Sequence, residues 1–395
     1  MFDVSPLFLR LLSAAALVLL CGCVTHEKVI QLSGDIMIDG PRMIAEGPPR
    51  DKVLWQYRLA AAELNHGDDA HAKQNLDDAL LTLGGIYGKD PNAKKSRSYF
   101  YKENEKTFMG VPYERVMAYY YRGIIYWADG EPDNARACFR TGELEDSSSE
   151  GDIYNGDYAL LDYLDGLAST KLGEDGSDAY QRALKECRFP KPPPYNPEAN
   201  VLFFVQFGPG PRKYATGRYR EELRFSVPES PVYSAVIHVE GQNVAIGPYD
   251  DLGFQATTRG GRVMDHVLAN KAVFKATTDA VGNAAIIGGA IAASSRNQTS
   301  DEVGLGLIAA GIISKVVSAE TTPAADIRSW NDLPRYLSFA ALPLPPGQHV
   351  ATVEFKDRAG QLLPFLTKTL TISVPAEKHD KVVFVSDTSV TPQTL

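Results

Sequence analysis

The sequence predicts an α+β protein. An N-terminal tandem array of helices is followed by a small antiparallel β domain, into which a hairpin of small-residue helices is inserted. Three observations predict this. Small and aromatic residues recur at helical-hairpin spacing between Asp51 and Arg188. Pro190, Pro192, Pro193, Pro194 and Pro197 then forbid helix and sheet alike. Beyond them, short runs alternate apolar and polar residues with turn signals between. The expected boundaries are 51–188 for the helices, 189–198 for the linker and 199–395 for the β domain, with the hairpin at about 262–319.

The first residues predict export rather than fold. Met1 to Arg10 is a short leader, and Leu11 to Leu20 is an apolar run too short to span a bilayer. It ends in Leu20-Cys21-Gly22-Cys23, which resembles the lipobox of bacterial lipoproteins. A small residue lets a peptidase approach, and the Cys23 thiol is the nucleophile that takes up lipid. The sequence thus predicts a signal peptide over 1–22 and a lipid-anchored, palmitate-type attachment at Cys23. Each buried CH₂ of an acyl chain contributes about 0.8 kcal/mol, so several chains hold the protein on the membrane. Val24 follows where an aspartate commonly retains such proteins in the inner membrane, which favours the outer membrane facing the periplasm. Residues 23–50 contain Gly34, Gly40, Pro41, Gly47, Pro48 and Pro49 and are expected to be a flexible tether.

In the helical part, Tyr119, Gly123, Tyr126, Ala135, Phe139 and Gly142 fall at the intervals of the tetratricopeptide repeat, with Gly130 at the turn. Gln56, Ala60, Ala72, Leu76 and Ala79 repeat the frame around Gly67. A third copy, about Gly166 to Ala183 with its turn at Gly173, slips by about two residues. Such an array has an inner groove lined by the first helix of each pair. Carried over by position, that groove shows Tyr57 and Asn65 in one frame and Tyr120, Ile124 and Trp127 in the next. Aromatic side chains dominate binding hot spots, so these are the candidate contacts for a protein partner in the cell envelope. The same rings could equally pack as core.

In the β part, Val201 to Phe207 is a continuous apolar run, the mark of a strand buried on both faces. Val232–Glu240, Tyr336–Leu342, His349–Phe355, Leu370–Val374 and Lys381–Asp387 supply further strands. The Gly- and Ala-rich stretches Ala284–Ala292 and Val303–Ile313 suit a tight helical hairpin, self-association into a homo-oligomer, or contact with lipid.

Composition narrows the function. A net charge of −9 argues against a nucleic-acid partner. Beyond Cys23, only Cys138 and Cys187 remain, and they are open to pairing or to staying free. No Gly-x-Ser-x-Gly elbow, His-Glu-x-x-His, Walker loop or metal-ligand spacing occurs. The sequence therefore predicts a binding protein with no catalytic residue, metal or cofactor, and not an enzyme. Pro112 suits a first helical turn, and Glu114 complements its positive end.

Gly110-Val111-Pro112-Tyr113-Glu114-Arg115 with Tyr119-Tyr120-Tyr121, the stretch Ala325 to Pro334 around Trp330, and Leu342 to Gly347 together carry a family likeness. The chain resembles tetratricopeptide-containing lipoproteins of Gram-negative bacteria, a family with no established activity. The resemblance singles out Glu114, Arg115 and Trp330 as motif residues. The layout is also similar to that of outer-membrane lipoproteins that activate peptidoglycan synthases, a likeness of architecture alone.

Overall fold

The computed structural model describes residues 30–87, 106–147, 157–259, 325–377, 379–390 and 393–394. The lipobox, with Cys23, and the Gly/Ala-rich stretches of 284–313 lie outside them. Among the described residues no helix is long and apolar enough to cross a membrane.

The expected tether is shorter than its glycines and prolines suggested. Helix α1 (Ile36–Glu46) starts on Asp35, whose side chain accepts the Met37 N–H at 2.9 Å. Asp39, buried, turns back to accept the Gly34 N–H at 2.8 Å. Gly40 lets α1 approach closely, since a Cβ there would lie 3.0 Å from the Leu59 side chain. A good cap and a close helix contact outweigh Pro41 inside the helix.

Three helical hairpins follow: α2 (Lys52–His66) with α3 (Asp69–Tyr87), α4 (Pro112–Ala128) with α5 (Pro132–Ser147), and α6 (Ala159–Lys171) with α7 (Ser177–Glu186). Each packs on the next. All three turn glycines, Gly67, Gly130 and Gly173, have positive φ, the conformation in which a Cβ costs most. A Cβ on Gly123 would meet the Phe139 ring at 2.5 Å, so the glycine sets how closely α4 and α5 approach. The third hairpin slips out of frame because its connection runs from Leu172 to Gly176, longer than the other two.

The strands form two sheets. The first has the order β10 (Lys381–Ser386), β1 (Val201–Pro209), β7 (Pro334–Leu342), β6 (Asp250–Asp251). The second has the order β11 (Gln393–Thr394), β9 (Lys368–Val374), β8 (Gly347–Lys356), β4 (Ser234–Val239), β5 (Gln242–Ile246). A separate hairpin joins β2 (Arg212–Thr216) to β3 (Glu222–Ser226). Most pairs are antiparallel, as expected. β1 with β10 and β9 with β11 are parallel, because the chain crosses from one sheet to the other between β9 and β10.

The apolar run of β1 is buried on both faces, and each face has a different neighbour. Leu202 and Phe204 join Leu337, Phe339, Val382 and Phe384 against the helices. Val201, Phe203, Val205 and Phe207 point the other way, to Ile237, Val353, Phe355 and Ile372 of the second sheet. The order of layers is helices, sheet, sheet. The proline-rich stretch 189–198 therefore connects two layers that share a core, and residues 34–395 form one compact unit.

Helix α8 (Leu252–Arg259) follows β6 and packs on β3. The chain resumes at Ala325, whose N–H donates to the Arg220 carbonyl in the β2–β3 turn at 2.8 Å. Both ends of the 260–324 excursion thus meet the same small hairpin.

Asp250 of β6 ties sheet to helices. Its carboxylate accepts the Ala159 and Leu160 N–H groups, at 3.0 and 2.9 Å, at the start of α6. Burial, the dominant cause, pushes its carboxyl up to about 7. Burial likewise raises Asp162 to about 6, even though Arg182 donates to it at 2.8 Å. Both native values lie above those of the unfolded chain, so the native state holds protons that the unfolded state releases. Stability is then fully present below about pH 4 and falls as pH rises towards 7. Asp250 alone is expected to lower it by about 2–3 kcal/mol between pH 5 and pH 8. Urea midpoints at the two pH values measure this, and Asp250→Asn should flatten the slope. An unchanged slope in that variant removes Asp250 as its source.

Candidate functional site

The face of the helical layer where a groove was expected is covered by the chain's own sheet. Tyr57, Tyr120, Ile124 and Trp127 are all buried. Tyr120 and Trp127 pack edge-on against Phe204 of β1, at 6.2 and 6.4 Å between ring centroids. Tyr57 stacks on Trp330 at 4.6 Å. Asn65 accepts from the Ser389 hydroxyl at 3.3 Å, and its carbonyl takes the Val390 N–H at 2.9 Å, so the segment after β10 occupies that end. The expectation that Tyr57, Tyr120, Ile124 and Trp127 line an open groove is corrected: they pack as core, and Asn65 is half-buried against the segment after β10. An inner row of apolar side chains has the same spacing whether it meets a peptide or a strand.

The motif residues are brought together. Glu114 is fully buried in the first turn of α4 and gathers three donors from three segments. Its Oε2 accepts the Val111 N–H at 2.8 Å and the Lys213 ammonium at 2.6 Å, while Oε1 accepts the Trp330 N–H at 2.8 Å. Lys213, on β2, is itself only 2% exposed and also donates to the Arg328 carbonyl. Arg328 donates onward to Asp326, Asp51 and the Lys106 carbonyl. Arg115 donates to Glu145 at 2.6 Å and to the Gly110 carbonyl. The segment 325–333 is therefore a strap laid over the start of α4 and the 50–51 and 106–108 backbones. Lys213 follows Gly208-Pro209-Gly210-Pro211, a composition that suits a turn and gives no sign of a buried lysine.

Trp127, though buried, borders an open surface. It lines a cleft of about 490 Å³ at the mouth of the filled groove. The cleft draws on all three layers: the turn of the middle hairpin, the end of α6, the start of β1, and the loops after β7 and β9. Asp380 sits at its centre, accepting from the Trp127 indole N–H at 3.0 Å and from the Lys171 ammonium at 2.6 Å. Lys171 also donates to the Ala199 carbonyl. Gly130 closes the turn beneath His379, where a Cβ would lie 2.5 Å from the imidazole. With Lys171 and Asp380 satisfied by each other, the exposed titratable side chains of the lining are Glu198, Glu377 and His379. They offer charged and hydrogen-bonding contacts. Lys171 and the neighbours His379 and Asp380 carried no sequence signal, since Lys171 lies some two hundred residues from the other two.

Among the described residues no group of His, Cys, Asp and Glu is placed to hold a metal. Cys138 and Cys187 are both free. Burial pushes the Cys138 thiol up to about 11 and raises Cys187, which keeps both protonated at neutral pH. No known family model, curated protein or solved structure matches this chain.

Proposed function

We propose that this protein is a lipid-anchored component of the bacterial cell envelope, held on the outer membrane through Cys23, and that its body is a tetratricopeptide-like platform for a protein partner. The Leu20-Cys21-Gly22-Cys23 tetrad after an apolar run supports the anchor. Three hairpins with glycine turns and small residues at their contacts support the repeat reading. The observation that carries the binding role is the cleft beside Trp127, where loops of all three layers converge on exposed charged groups. It moves the partner site from inside the groove to its mouth.

Two variants test the two halves. Cys23→Ser should shift the protein out of the detergent-soluble membrane fraction and abolish incorporation of labelled palmitate. Unchanged fractionation and labelling would overturn the anchor. Glu377→Lys with His379→Glu should abolish crosslinking to an envelope partner while the thermal midpoint stays within about a degree, as suits exposed positions. Full crosslinking by that double variant would overturn the cleft.

A further inference from the structure

The edge of the first sheet beside β7 is only partly covered. β6 pairs with Tyr336 and Leu337 and no further. The chain then leaves this edge through Tyr249 to reach β5 in the other sheet. Among the described residues, no strand pairs with Ser338–Leu342 on the side away from β1. Two hydrogen bonds fix which backbone groups face outward. The Leu337 carbonyl accepts the Tyr249 N–H at 2.8 Å, so Leu337 faces away from β1. The Leu342 carbonyl accepts the Asn200 N–H at 3.0 Å, so Leu342 faces towards β1. Strand alternation then turns the N–H and C=O of Phe339 and Ala341 outward with Leu337. Neither residue has a backbone partner there among the described residues.

These groups open into a groove of about 220 Å³, walled by Pro192 and Pro193 on one side and by Val244, Ile246 and Gly247 on the other. Prolines have no N–H, so the neighbouring stretch of this chain cannot complete the ladder itself. Lys191 is the one charged lining residue, and its ammonium is taken up by the Leu184 and Cys187 carbonyls. That charge is turned towards the last carbonyls of α7, and the rest of the lining carries none. At about 3.3 Å per residue, the open stretch matches four or five residues of extended chain.

We propose that this open edge of β7 is a docking site for an extended, uncharged peptide segment of a partner protein, which adds as a strand beside Phe339 and Ala341 along the line begun by β6. Backbone hydrogen bonds would supply the attachment, and the apolar walls would select alternate side chains. The proposal rests on the protein-binding reading but places a second contact apart from the cleft.

The test uses the full chain and blocked hexapeptides in which Thr alternates with Val, Ala or Leu, together with copies N-methylated at alternate amides. With at least one unmethylated peptide, hydrogen exchange at the Phe339 and Ala341 amides should slow tenfold or more, and the methylated copies should have no effect. Ala341→Pro removes an outward N–H without touching the β1 ladder, and it should weaken binding at least tenfold. Should that variant unfold, Gly247→Leu decides. Gly247 lines the groove and a Cβ there meets nothing within 4 Å, so a larger side chain can start from it without a backbone clash and take up groove space. No slowing with any peptide, equal slowing with methylated copies, or full binding by Gly247→Leu would overturn the proposal. Slowing that rises with protein concentration alone would overturn it in favour of self-pairing. Partner crosslinking that survives in Gly247→Leu, with peptide binding absent from the wild type, would sink this site and leave the cleft standing.

Discussion

Glu114→Ala is expected to cost about 3–5 kcal/mol of folding stability, read as a fall in the urea midpoint at constant slope. The reason is what it leaves behind. Lys213 keeps its charge in a site where it is 2% exposed, and the Trp330 and Val111 N–H groups lose their acceptor. Removing one member of a buried pair strands the other, whereas replacing both with apolar groups of similar volume is often close to neutral. Glu114→Gln with Lys213→Met should therefore recover most of the loss. If the double variant is as unstable as the sum of its parts, the pair is not coupled and the strap is held by other contacts.

Phe204→Ala should cost about 3–5 kcal/mol, the range for emptying a fully buried aromatic site. Phe204 is the strand residue that fills the helical groove. Its ring lies 5.1 Å from Phe339, and it also meets Tyr120 and Trp127. The result distinguishes two views of the helical layer. If the sheet is the groove's occupant, near-ultraviolet circular dichroism should change at the tryptophan band as the Trp127 environment loosens. A loss below about 1 kcal/mol would mean that helices and sheet are only loosely joined.

Much of the fold was legible in particular residues. The apolar run of β1, broken by Gln206, predicted burial on both faces, and Leu202/Phe204 against Val201/Phe203 show why no alternation was needed. Gly67, Gly130 and Gly173 marked turns because only positive φ closes them tightly. Pro112 and Glu114 were placed correctly at the start of a helix. Other features left no local trace. β2, β3 and β5 are short and half-exposed, so their alternation is weak. Helix α1 was hidden by Pro41 and revealed only by its Asp35 cap. The site was the least legible part. Tyr120 and Trp127 have the spacing of groove contacts, and nothing within a repeat says what will lie against it. Lys171 and Asp380 become partners across a large sequence distance that only the layered arrangement brings to 2.6 Å.

The filled groove also limits how such a chain can change over time. An open stack of hairpins can lengthen or shorten by whole copies, because each copy answers only to its neighbours. Here the first helices answer to particular strands as well: Tyr120 to Phe204 of β1, Tyr121 to Phe384 of β10, and Tyr163 to Phe339 of β7. Duplicating one hairpin would push every later helix off its strand, and the sheet could not widen to match. The copy number is commensurate with the width of the sheet beneath it. Variation in this protein should therefore accumulate as insertions between the described elements, and not as gained or lost hairpins.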